Sequence, residues 1–103
     1  MIRILAKLDA KGLVRCSISG HSGYAERGQD IVCAAVSTAF TGAMNCLDDP
    51  QDCYRICVSS GEGEVAVLKD ISQHDRIVLE VMIRELGYLS ETYPEFIQYR
   101  EEK

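Results

Sequence analysis

The apolar residues of this chain change their spacing in a fixed order, and that order constrains the fold more than any other feature. Ile2, Ile4 and, offset, Leu5 and Leu8, then Leu13, Val14, Cys16 and Ile18, read as two strands around Asp9-Ala10-Lys11-Gly12. They predict a hairpin, with Gly12 available for a positive φ. From Ile31 the period changes: apolar positions fall at 31/32, 35/36, 39/40, 43/44 and 47, one stripe at helical spacing. Asp30 stands in the N-cap position, and Asp48-Asp49-Pro50 lies past the far end. Strand-like runs return in Tyr54 to Val58 and Glu64 to Leu68, flanking Ser59-Ser60-Gly61-Glu62-Gly63 as a second hairpin. Ser72-Gln73-His74-Asp75 opens a second helix with Val78, Val81, Met82, Leu86 and Leu89 on one face, ending near Tyr88 to Thr92. After Pro94, Phe96-Ile97-Gln98-Tyr99-Arg100 reads as a short edge strand or a frayed helical tail. The order β-β-α-β-β-α-(β) implies an α+β fold in one domain, residues 1–103, with two helices packed on one face of a mostly antiparallel sheet.

Between the first hairpin and the first helix, residues 20–29 (Gly20-His21-Ser22-Gly23-Tyr24-Ala25-Glu26-Arg27-Gly28-Gln29) carry three glycines and no apolar period. A mobile loop is expected there. With 47% hydrophobic and 26% charged residues, the composition excludes a disordered tail or a collagen-like repeat. The longest uncharged apolar stretch, Ile31 to Leu47, is diluted by Ser37, Thr38, Thr41, Gly42 and Asn45, so no membrane span is expected. Met1-Ile2-Arg3-Ile4-Leu5-Ala6-Lys7 places charges where a signal peptide would be apolar, and the expected location is cytoplasmic. Eleven Lys and Arg against sixteen Asp and Glu give a net charge of -5 without a basic cluster. That balance argues against direct nucleic-acid binding and suits a basic protein partner.

Five cysteines, at 16, 33, 46, 53 and 57, read as reduced thiols that mostly pack in the core. Cys53 and Cys57, if extended, would lie ~13 Å apart at about 3.3 Å per residue, too far to clasp one ion. Cys16, His21 and Cys33 could meet geometrically, but their spacing matches no standard zinc pattern, so neither a metal nor a cofactor is expected.

Chemistry gathers where the loop meets the first helix. With Asp30 as N-cap, Cys33 is the third helical residue, where unpaired N–H groups and the helix dipole favour negative charge. Such placement beside an imidazolium can bring a thiol from about 8.5 into the range of roughly 3.5 to 7.5. A carboxylate as near as Asp30 opposes this unless its charge is committed to capping N–H groups or to a histidine. His21, in the glycine-flanked loop, is the natural proton partner. In that scheme Cys33 attacks a carbonyl, His21 carries the proton to the leaving amine, and helix N–H groups hold the oxyanion. Asp30 could orient His21, and Ser37, one turn on from Cys33, could hydrogen-bond the thiolate, a substrate group or the preceding turn. A structural Cys33 with an exposed His21 fits the spacing too. His74 reads as a solvated surface residue, and Tyr24 as either a substrate contact or the residue that packs the loop down.

Gly20-His21-Ser22-Gly23-Tyr24, followed by Gly28-Gln29-Asp30-Ile31-Val32-Cys33-Ala34-Ala35-Val36-Ser37, resembles the ribosomal-processing cysteine protease family, Prp. The G-H motif, the glycine-bearing loop and D-I-V-C-A-x-x-S stand in register; outside residues 20–47 the likeness is in layout more than letters. The resemblance implies a homodimeric cytoplasmic endopeptidase that removes a short N-terminal extension from the large-subunit ribosomal protein twenty-seven. By position it implies Cys33 as nucleophile and His21 as general base and acid. Asp30 and Ser37 would support them, and Gly20 would give the histidine backbone freedom. Ser22 departs from the family pattern, which usually has alanine after the histidine, and its hydroxyl could bond His21. The glycine-rich loop further suggests that His21 reaches Cys33 only when peptide binds. Two rival readings remain: a non-catalytic ribosome-assembly or peptide-binding module, and a redox sensor pairing Cys33 with Cys16 or Cys46.

Overall fold

The computed structural model describes residues 1–103 as two hairpins, each followed by a helix, with a returning strand at the end. Strand β1 (Ile2–Asp9) turns through Gly12, at φ 124°, into β2 (Gly12–Ser19). Helix α1 (Ile31–Asn45) follows the loop, then α2 (Pro50–Cys53), the hairpin β3 (Tyr54–Ser59) and β4 (Glu62–Val67), α3 (Gln73–Thr92) and β5 (Ile97–Glu102). One five-stranded sheet runs in the order β3-β4-β2-β1-β5. Every neighbouring pair is antiparallel except β1 and β5, which run parallel with Ile2 opposite Ile97.

Alternation along the strands decides which face is covered. Ile2, Ile4 and Ala6 are buried while Arg3, Leu5 and Lys7 between them are exposed. Cys16 pairs with Ala6 on one side and Val65 on the other, continuing the buried row across the sheet. The helices lie on that face: Val32, Val36 and Phe40 of α1 join Leu79, Met82 and Leu86 of α3 in one core with the strand residues. Burying each of these larger side chains contributes about 1.5–3 kcal/mol relative to exposure. The other face is polar, with Arg15 on Glu64 at 2.6 Å and Arg55 beside the same carboxylate at 3.7 Å.

Two features differ from the expectations, and one alternative left open is decided for the strand. Asp48-Asp49-Pro50 does not simply end the first helix: Asp49 accepts the Asp52 amide and Pro50 starts the short α2, so Cys53 is helical rather than extended. The core stripe of α3 runs through Leu79, Met82, Ile83 and Leu86, leaving Val81 48% exposed, because Val81 lies on the side that faces away from the sheet. Residues after Pro94 form a six-residue strand, not a helical tail, since β1 offers a free edge that a parallel neighbour can satisfy.

Candidate active site

The loop joining β2 to α1 forms no helix or strand, and its hydrogen bonds converge on Asp30, Ser22 and Cys33. Asp30 caps α1 with extended backbone, and its Oδ1 accepts the Cys33 amide at 2.9 Å. Its Oδ2 accepts the Ser22 hydroxyl. That hydroxyl, helped by the Cys33 amide, outweighs burial and holds the Asp30 carboxyl down at about 2. The carboxylate is therefore committed to capping and to Ser22, and it does not orient His21 in this structure.

Ser22 is the best-buried residue of the loop, at 4% exposure. Its Oγ accepts the Tyr24 amide at 3.0 Å while donating to Asp30, so the hydroxyl ties loop to helix start instead of bonding the imidazole. Its own N–H donates to Cys33 Sγ at 3.3 Å. The sulfur, half-buried in the first turn of α1, thus faces a fixed backbone donor. Tyr24 packs the loop down: its ring meets Tyr93 and Phe96 edge-on, at centroid distances of 6.0 and 5.2 Å.

His21 stands across a cleft of about 320 Å³ that Cys33, Ser37, Arg27 and the β3–β4 turn also line. Its main chain is pinned from both sides. Gly20, at φ 93°, donates to the Gly61 carbonyl at 2.8 Å, and the His21 carbonyl accepts the Met1 amino group. No room exists for a side chain at position 20, where a Cβ would run into the Met1 carbonyl oxygen. The imidazole makes no hydrogen bond to Cys33; it rests against Gly61. The fold brings His21, Cys33, Ser37 and Gly20 to one cleft, and Asp30 to its edge. Gly61 was not legible as part of it, because the turn lies forty residues away in sequence.

Other cysteines stay apart. Burial pushes the Cys16 thiol up to about 12, so it is an inert core residue. Cys46 caps the far end of α1, roughly 20 Å from Cys33 at 1.5 Å rise per residue, beyond the reach of a disulfide. Cys16, His21 and Cys33 do not gather as ligands; the side chains that come together are Asp48, His74 and Asp75, and Asp49, Asp52 and Cys53, away from the cleft. His74 is exposed as expected, yet its Nδ1 sits 2.8 Å from the buried Asp75 carboxylate.

A thiol at a helix start and an imidazole lining the same cleft are groups that acyl transfer can use. Known proteins agree with that chemistry. The family model described as cysteine protease Prp matches residues 1–98. The ribosomal processing cysteine protease Prp of Mycoplasma pneumoniae is 30% identical over 92 residues, covering 86% of this chain and 88% of that protein. A crystal structure of the ribosomal processing protease Prp from S. aureus, with a covalently linked product peptide, superposes with a TM-score of 0.84 at 22% identity, covering 99% of this chain and all of that one. A Streptococcus mutans protein superposes at 0.75 with 28% identity, covering 99% and 94%. With the match extending over nearly every residue and every element, the chain belongs to the ribosomal processing cysteine protease family, Prp.

Proposed function

We propose that this protein is an endopeptidase that removes the N-terminal extension of the large-subunit ribosomal protein twenty-seven, using Cys33 and His21 as a dyad. The observation that carries the reading is the arrangement of Cys33 in the first turn of α1, its sulfur against the Ser22 amide, on a cleft shared with His21. The Cys33 sulfur attacks the scissile carbonyl carbon as His21 takes the thiol proton. His21 then protonates the leaving amine, the C–N bond breaks, and the extension remains as a thioester on Cys33. Water, giving a proton to His21, hydrolyses the thioester to a carboxylic acid and restores the thiol. Backbone N–H groups at the helix start favour the oxyanion, Asp30 fixes the loop against the helix, and Ser37 offers a hydroxyl one turn from the sulfur. Cleavage requires His21 to turn toward Cys33 once peptide fills the cleft.

A net charge of -5 suits a basic ribosomal protein and gives no footing for nucleic acid. The reading includes a cytoplasmic location, supported by five free thiols that suit a reducing compartment. It also includes a homodimer, supported by the exposed apolar side chains of Ile31, Val81 and Tyr88 along the α1–α3 face. Sedimentation equilibrium of wild type and Val81→Glu checks this, with a dimer expected only for the wild type. The test of function is incubation with the unprocessed ribosomal protein and identification of the new terminus. Cys33→Ala and His21→Ala are expected to bind the substrate and leave it whole; processing by Cys33→Ala rejects the assignment.

A further inference from the structure

The β3–β4 turn has no part in the dyad, yet it is what the His21 ring touches. Gly61, at φ 75°, sits beneath the imidazole so closely that a Cβ there would lie 2.7 Å from Nε2 and 3.1 Å from Cε1. Its carbonyl accepts the Gly20 amide at 2.8 Å, so the same residue fixes the main chain leading into His21. One residue later, the Ser22 amide is held on Cys33 Sγ. The backbone from Gly20 to Ser22 therefore bridges the turn and the thiol with both ends tied, and the ring can only choose between them by rotating its side-chain torsions. In this structure it lies in the notch at Gly61 and makes no bond to the sulfur.

We infer that Gly61 is a positioning residue for His21: the space left by its missing side chain seats the imidazole and keeps it off Cys33 until substrate arrives. This rests on the dyad reading above and concerns how the empty cleft holds its base. A methyl group at position 61 meets the movable end of a side chain, not backbone, so the ring gives way and spends more time near the sulfur. Met1 (through its amino group), Glu26, Arg27, Asp30 and Glu62 are the other charged groups around the loop and cleft, and none of them changes in this substitution.

The experiment compares the rate of Cys33 alkylation by iodoacetamide at pH ~6.5, without substrate, in wild type, Gly61→Ala, His21→Ala and the double variant. Gly61→Ala is expected to react several-fold faster than wild type, up to about tenfold, because an imidazole beside a thiol promotes its attack. That gain is expected to vanish when His21 is also alanine, which general loosening of the cleft would not produce. Gly61→Asn carries a Cβ while tolerating positive φ, and gives the same result if alanine is too strained at this position to fold. Independently of any variant, nuclear Overhauser contacts between the Gly61 α-protons and the His21 ring protons are expected in the wild type. Wild-type alkylation rates in the folded variants, a gain that survives loss of His21, or the absence of those contacts each overturns the inference. None of these readouts uses peptide cleavage, so a failed processing assay would reject the proposed function and leave the seat of His21 separately measurable.

Discussion

Replacing Asp75 by alanine tests whether the far end of the molecule is clamped as the structure indicates. Asp75 is 3% exposed and accepts the Tyr54 hydroxyl at 2.7 Å and the Asp48 amide at 3.1 Å, with His74 Nδ1 at 2.8 Å. It thereby joins the segment after α1, the start of β3 and the start of α3. Burial alone would raise its carboxyl; the Tyr54 hydroxyl, His74 and the Asp48 amide more than reverse this and hold it below the ordinary carboxylate range. Each hydrogen bond to a charged acceptor is worth about 1.5–3 kcal/mol, and a buried donor left without a partner costs about 1–3 kcal/mol. Since the three bonds share one acceptor and do not add, the expected loss is about 3–4 kcal/mol, a fall in Tm of roughly 15 °C or more for a domain of this size.

The pH dependence has a defined sign. Asp75, lowered in the folded state, contributes above its unfolded value of about 3.9 and loses that contribution as pH falls through its native value. His74 is raised, first by its bond to Asp75 and then by Asp48, so its share is complete below about 6.5 and is lost as pH rises through its native value. Urea denaturation of wild type and Asp75→Ala at several pH values should therefore show the largest difference between about pH 4 and 6.5. Cys33 lies at the opposite end of the fifteen-residue α1, so its alkylation rate is expected to be unchanged. A stability loss below about 1 kcal/mol, far under what three bonds to a buried carboxylate imply, would refute the reasoning.

Gly20→Ala places a methyl group against the Met1 carbonyl oxygen at a φ that alanine resists, and displaces the backbone of His21. Cleavage is expected to fall on the order of 10²-fold, read as kcat with saturating peptide. Ser22→Ala removes the largest cause of the lowered Asp30 carboxyl, which should move back up toward the ordinary carboxylate range in a side-chain NMR titration. If processing of a basic substrate is steered by the acidic surface, kcat/KM is expected to decline as salt rises from low to physiological strength, and a flat salt profile counts against steering.

Local signals carried most of the fold and half of the site. The helix-period stripe from Val32 to Leu47 and the Asp30 cap depend on neighbours three and four residues apart, so they were readable, and with them the place of Cys33 in the first turn. Long-range partners were not. The parallel pairing of β5 with β1 leaves no local mark, and α2 arises because Asp49 and Pro50 make a helix start as well as a helix stop. Val81 fits the apolar period but lines an open groove between α3 and α1, where it stays half exposed. Ser22 was visible as an unusual residue beside the histidine, yet its hydroxyl goes to Asp30, eight residues on, because the loop closes on the helix start. The Gly61 seat depends on a glycine in a distant turn whose role appears only when the two hairpins lie side by side.

The dyad assignment is tested most directly by acid-quenching a single turnover with the extended ribosomal substrate and weighing the peptide that contains Cys33. The account predicts a transient thioester joining the Cys33 sulfur to the released extension, formed as the new amino terminus appears and absent in Cys33→Ala. Appearance of the mature terminus with Cys33 never acylated, or its formation by Cys33→Ala, would contradict it.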